Sequence, residues 1–304
     1  MSKKTIPLFA HTVVMIRPLT FCSNPETLAS NSFQKSSGDS PSVILHKAQA
    51  EFDLFVEKLT ASGIEVLKFE EKAGAQTPDA LFPNNWFCQL PDGKVFLFPM
   101  QAPNRRKEVR RDVLRKIRAT ETIDLTPYIE RNQFLEGTGS LVCDHRNKIA
   151  YACLSPRTSP EVLREFSELS GYRIVSFHSL DRGGKDIYHT NVMMAAGERT
   201  MIVNLSSLPE SDRKMVSGVL QETGKTIVDI SFDQMENLAG NMLFLQNKTG
   251  KKFWVCSTRA FHILTPSQKE ILEREGSFLH SELTTIEDVG GGGARCLMAE
   301  VFHS

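Results

Sequence analysis

The chain of 304 residues has no excess of charge: Lys and Arg number 36, and Asp and Glu number 36. That balance argues against a broad electrostatic footprint for nucleic acid or an anionic membrane surface. Nowhere does it approach the roughly 20 consecutive apolar residues of a membrane-spanning helix. The opening MSKKTIPLFAHTVVMIRP has a basic end but no apolar core with a small-residue cleavage site, so no secretory leader is expected. Cysteine is scarce. Cys22, Cys88, Cys143, Cys153, Cys256 and Cys296 form no C-x-x-C pair, and no histidine stands at zinc-ligand spacing from one of them. Neither a metal site nor a cofactor is expected, and the cysteines suit the reducing cytoplasm.

What the sequence does contain is a repeated plan of strand, helix, strand, loop and strand. The third copy is the clearest. KIAYACL (148–154) reads as a strand, and Ser159 and Pro160 start a helix as N-cap and first residue. Val162, Phe166 and Leu169 give that helix its apolar stripe, and Gly171 ends it. YRIVSF (172–177) and NVMMAA (191–196) complete the unit. In the fifth copy KFWVCS (252–257) precedes a capping box at Thr265 and Gln268, and CLMAEVF (296–302) closes the chain. The first, second and fourth copies place helices over 43–62, 104–118 and 210–223. The run RRKEVRRDVLRKIR (105–118) reads as a solvated helix face rather than a nucleic-acid patch.

The last strands of the five units start beside Asn85, Ser140, Asn191, Asn241 and Cys296. Even spacing of this kind implies a closed ring of modules, with equivalent positions facing one axis. The fold expected is α/β, a closed pseudo-fivefold ring of five modules forming a single domain over 1–304. A polar, Ser-rich loop at about 23–42 reads equally as a cover for a site or as a linker.

Three residues at the strand starts have catalytic chemistry. GGGGARC (290–296) delivers Cys296 behind four glycines, where backbone can approach a ligand closely. A cysteine nucleophile needs a proton acceptor and an orienting group. His189 in YHTNVMM and Glu136 in FLEGTGS occupy the corresponding places in two other modules.

At these motifs, with PDALFPNNWF (78–87) and ACLSPRT (152–158), the chain resembles the guanidino-group modifying, amidinotransferase-like superfamily. Its members include arginine deiminases, dimethylarginine dimethylaminohydrolases and succinylarginine dihydrolases. The resemblance implies the five-module propeller of the pentein type. It implies Cys296 as nucleophile, His189 as general acid/base and Glu136 as acidic partner. Arg157 resembles the arginine that takes the substrate carboxylate. Asn85 and Asn191 stand where many members carry an aspartate that grips the guanidinium. Asn84 and Asp79 complete the expected substrate-binding set, with Asp79 restoring one negative charge.

The expected activity is hydrolysis of a guanidino or ureido group of arginine, citrulline or a related derivative, through a covalent cysteine intermediate. Asparagine both donates and accepts, which suits a neutral ureido group better than a cation. The alternatives are amidino transfer to a second amine, or a non-catalytic binding protein on the same ring fold. The partner expected is a small molecule, with no nucleic acid and no membrane, and a homo-oligomer is compatible with the sequence.

Overall fold

A computed structural model describes residues 7–28, 31, 33–35 and 37–302. The chain opens with β1 (Thr12–Arg17), α1 (Pro41–Ala61) and β2 (Glu65–Glu70). The second sheet holds β3 (Phe87–Gln89), β4 (Lys94–Leu97) and β5 (Glu121–Asp124), with α2 (Arg111–Lys116) crossing over. Next come α3 (Gly137–Ser140), β6 (Val142–Asp144), β7 (Ile149–Cys153), α4 (Pro160–Ser170) and β8 (Arg173–Phe177). The fourth sheet is β9 (Met194–Ala196), β10 (Thr200–Val203) and β11 (Thr226–Asp229), with α5 (Glu210–Glu222) between the last two. After α6 (Phe232–Glu236), the fifth sheet is β12 (Leu243–Gln246), β13 (Lys252–Ser257) and β14 (Ser277–Ser281), with α7 (Thr258–Ile263) and α8 (Pro266–Glu273) crossing over. The chain ends in α9 (Thr284–Gly290) and β15 (Ala299–Val301).

Five three-stranded sheets repeat one plan: a short strand antiparallel to a middle strand, then a crossover to a third strand parallel to it. The first sheet takes its short strand from the other end of the chain. β15 pairs antiparallel with β1, Thr12 opposite Val301, and closes the ring. This corrects the module boundaries read from sequence. The strand that ends each sequence unit hydrogen-bonds to the unit that follows, because a short hairpin brings β3 to β4, β6 to β7 and β9 to β10.

The apolar pattern explains the packing. In α1, Ile44, Ala48, Phe52, Phe55 and Leu59 fall on one stripe and are buried against Val13, Met15 and Ile286. Full burial of each large side chain is worth about 1.5–3 kcal/mol. The fifth helix starts as expected, with Thr265 and Gln268 exchanging capping-box bonds. Three expectations are corrected in detail. Ser159 has extended backbone ahead of α4, but its hydroxyl accepts the Phe134 N–H at 2.9 Å instead of capping the helix. Leu169 is exposed, and Leu163 takes its place on the buried stripe. The helix expected over 104–118 breaks into a 3-10 turn at Arg105–Glu108 and the short α2, because Val109 is extended.

Before each short strand lies a tight turn, and these five turns meet. They are the 3-10 turn Pro83–Asn85, α3, the 3-10 turn Thr190–Val192, the turn 238–241 and the turn 293–296. Each touches the next. Thr138 Oγ1 donates to the Asn84 carbonyl at 3.3 Å, and Thr190 Oγ1 to the Ser140 carbonyl at 2.6 Å. Asn241 Nδ2 donates to the Asn191 carbonyl at 2.9 Å, and the Arg295 N–H to Asn241 Oδ1 at 3.0 Å. Hydrogen bonds between neighbouring turns therefore hold the axis, and whatever projects from the turns faces one small space.

Candidate active site

A small, tight cavity lies at that axis, lined by residues that include Asp79, Asn85, Arg105, Arg157, His189 and Cys296. Cys296 is 5% exposed, in the turn ahead of β15 rather than in the strand itself. The glycine run that delivers it begins as the end of α9. Gly291 has φ +67, and an added Cβ there would stand 2.6 Å from Asn31 Nδ2. The run thus turns the chain sharply out of a helix while letting the 23–42 segment press on it. Tyr188 fixes the same run by donating from its hydroxyl to the Gly291 carbonyl at 2.8 Å.

His189 and Glu136 are bonded to each other, Nε2 to Oε2 at 2.8 Å, and both are buried. The second Glu136 oxygen accepts the Gln101 N–H at 3.0 Å. With Nε2 donating to the carboxylate, Nδ1 is left as the basic nitrogen of His189. Burial pushes the imidazole down to about 4 despite the Glu136 partner, so it is neutral at pH 7. Burial by itself would raise the Glu136 carboxyl. Arg157, the His189 bond and Arg105 outweigh it and hold the group below the usual carboxylate range.

Arg157 lies inside the cavity wall, 3.4 Å from Glu136 Oε2, with its guanidinium 4.7 Å from the centre of the Tyr188 ring. Asp79 is spanned from both sides: Asn24 Nδ2 donates to it at 2.7 Å, and Arg105 Nε stands 3.6 Å away. Asn85 Oδ1 accepts from Arg105 Nη1 at 2.9 Å. Asn84 lies behind Asn85, fully buried, and offers its carbonyl to Thr138 without lining the cavity. Asn191 reaches the site through sulfur, with Nδ2 3.6 Å from Cys296 Sγ. Within the 23–42 segment, Asn24, Thr27 and Asn31 are buried, and Thr27 and Asn31 line the cavity.

Arg105 is the residue that sequence reasoning missed. Its run was read as a solvated face, yet Arg105 is 2% exposed and bonds Glu108 through two parallel contacts at 2.9 and 3.0 Å. Asn241 was seen at a strand start but given no role. It lies 3.3 Å from Cys296 Sγ. The fivefold spacing already pointed to it.

A buried thiol, an imidazole, a carboxylate and two guanidinium groups on the axis of a five-sheet ring place the chain among the guanidino-modifying, amidinotransferase-like enzymes of the pentein fold. It belongs to the family described as N,N dimethylarginine dimethylhydrolase, eukaryotic, whose model matches residues 17–303. Membership puts it among hydrolases of guanidino C–N bonds. No curated protein matches the chain. Among solved structures, the product-bound N-terminal domain of ArgZ, an arginine dihydrolase of the ornithine-ammonia cycle in Cyanobacteria, is similar at TM-score 0.73 and 15% identity, covering 95% of this chain and 97% of that one. Unliganded AgrE is similar at TM-score 0.76 and 14% identity, over 95% of this chain and 39% of AgrE. A histidine-to-glycine variant of dimethylarginine dimethylaminohydrolase, solved as an adduct with S-methyl-L-thiocitrulline, is similar at TM-score 0.65 and 13% identity, over 96% and 99%. Among the described residues no helix is long and apolar enough to cross a membrane.

Proposed function

We propose that the protein is a cysteine-dependent hydrolase whose preferred substrate carries a neutral ureido group, citrulline above arginine. The observation that supports the ureido group is Arg105, a buried cation that lines the cavity and bonds Asn85. Three buried carboxylates stand around the Arg105 and Arg157 guanidinium groups, and Glu108 takes Arg105 through two bonds. Asp79 faces Arg105 and Asn24, and Glu136 faces Arg157 and His189. A guanidinium would have to give up the hydration of a full charge to enter this small buried space, which a neutral group does not. A ureido group brings no charge. Its carbonyl accepts and its N–H groups donate, which matches amide side chains and guanidinium donors. Asn191 Oδ1 and Asp79 Oδ1 are buried acceptors without a hydrogen-bond partner among the described residues.

In the reaction the Cys296 thiol gives its proton to His189 as sulfur bonds to the ureido carbon. His189 passes that proton to the departing ammonia or amine, and the C–N bond breaks to leave a thiocarbamate on Cys296. Water then attacks this carbon. His189 takes the water proton and returns it to sulfur as the C–S bond breaks. Glu136 keeps the His189 ring oriented, and Arg157 and Arg105 stabilise negative charge on the ureido oxygen.

The test is release of ammonia, or of the alkylamine from methylated substrates, from citrulline, arginine, agmatine, methylated and acylated arginines by the native protein and Cys296→Ala, with and without an acceptor amine. Citrulline is expected to lead, with turnover lost in the variant. Arginine or a methylated arginine turning over at least ten times faster than citrulline (about 1.4 kcal/mol in selectivity) would overturn the ureido reading.

A further inference from the structure

We propose that Asn241 is a positioning residue for this reaction, its side-chain amide bonding the Cys296 sulfur as it gives up its proton and aiming it into the cavity. The inference rests on the reading of Cys296 as the nucleophile. Asn241 is 1% exposed and occupies, in the turn before β12, the place that Cys296 occupies before β15. Its amide is held three ways. Oδ1 accepts the Arg295 N–H at 3.0 Å, while Nδ2 donates to the Asn191 carbonyl at 2.9 Å and stands 3.3 Å from Cys296 Sγ. These partners fix which end of the amide is which. A backbone N–H requires the oxygen and a backbone carbonyl requires the nitrogen, so it is an N–H that meets sulfur. Oδ1 is farther from Sγ, at 3.8 Å.

Beside Asn241, sulfur is met by the Gly293 backbone and, at 3.6 Å, by Asn191 Nδ2, and the other side chains described around the cavity are turned to different partners. His189 spends Nε2 on Glu136. Arg295, on the same turn as Cys296, sends its side chain the other way, to the Met298 carbonyl at 2.9 Å and Glu300 at 3.1 Å. Arg157 and Arg105 are paired with Glu136 and Glu108, and Asp79 and Tyr188 offer no cation. Burial pushes the thiol up, and the Asn241 bond opposes it first, ahead of Arg295, the Gly293 backbone and Asn191. An N–H aimed at sulfur bonds the anion better than the thiol, and so favours the reactive form. A neutral substrate cannot supply that help, which leaves it to the protein, with Asn241 first.

The experiment is the pH dependence of Cys296 alkylation by iodoacetamide, followed on its own peptide by mass spectrometry, in native protein, Asn241→Ala and Asn241→Asp. The Asp variant keeps the shape and the acceptor for Arg295 but has no donor for sulfur. Removing a donor is expected to raise the apparent thiol pKa by about one unit, and Asp by more, with kcat at pH 7 falling about tenfold, KM little changed and activity recovering at high pH. A thiol pKa within about 0.3 unit of native in a folded variant would overturn the proposal, since a merely structural role changes melting temperature and not the titration. Should Ala fail to fold, Asp carries the same test. Turnover surviving in Cys296→Ala would instead remove the nucleophile reading on which the proposal stands.

Discussion

Gly139 sits beneath two residues of the site, and an alanine there should injure catalysis without unfolding the chain. An added Cβ would stand 2.3 Å from Asn85 Nδ2 and 2.8 Å from both Cε1 and Nδ1 of His189. Carbon contacts become comfortable at about 3.5 Å, so the amide must retreat by about 1 Å and the imidazole by somewhat less. Neither is free to do so. Asn85 is bonded to Arg105 at 2.9 Å and His189 to Glu136 at 2.8 Å. The backbone of Gly139 lies outside the left-handed region, so alanine adds no strain of its own and the whole penalty falls on the two side chains. Overpacking costs about 1–3 kcal/mol of stability, and a displacement of about 1 Å costs about 100-fold in rate. We expect Gly139→Ala to fold with a modestly lower melting temperature and to release ammonia about 100-fold more slowly at saturating substrate. Gly218→Ala, in α5 with open space around the new methyl, should match native activity and gain a few tenths of a kcal/mol. A Gly139→Ala protein within about threefold of native kcat would refute the steric argument and the placement of His189 with it.

Three further outcomes follow from buried polar groups. Tyr188→Phe leaves the Gly291 carbonyl without its 2.8 Å donor and should cost about 1–3 kcal/mol in urea unfolding, with faster alkylation of Cys296 as the glycine run loosens. Lys225→Met strands the buried Asp144 carboxylate, now 3.1 Å from Nζ, and should cost about 3–5 kcal/mol while turnover per folded molecule is kept, because the pair lies outside the cavity. His189 has a folded value of about 4 against an ordinary 6.5, so the unfolded chain binds the extra proton between those values. Its contribution is complete above pH 6.5 and lost as pH falls towards 4, by up to about 3 kcal/mol. Urea midpoints should fall accordingly from pH 7 to pH 4.5, and less in His189→Asn.

Much of this site could be read in the sequence because the repeat marks it. The starts of the five short strands share one place in each module, so the spacing of Asn85, Asn191, Asn241 and Cys296 carries three-dimensional information. Capping chemistry at Thr265 and Gln268 was equally local and equally legible. Pairing partners were not. A hairpin strand and the last strand of a unit look alike in sequence, and only closure of β15 on β1 settles which neighbour each joins. Arg105 was hidden for a different reason. Residues 105–118 have helical periodicity and dense basic charge, and nothing local says that Val109 will break the run and turn Arg105 and Glu108 inwards. Glu108 is local, but the other partners that make burial tolerable, Asp79 and Asn85, come from a different loop. Leu169 shows the converse, an apolar residue on the expected stripe that the fold leaves exposed.

The most direct test of the covalent mechanism is to quench the native enzyme in acid during turnover of citrulline and weigh its peptides. The account predicts a thiocarbamate on the Cys296 peptide that appears with turnover and disappears when substrate is exhausted. An adduct on any other cysteine, or full turnover with Cys296 unmodified at every quench time in an enzyme trapped faster than it cycles, would contradict it.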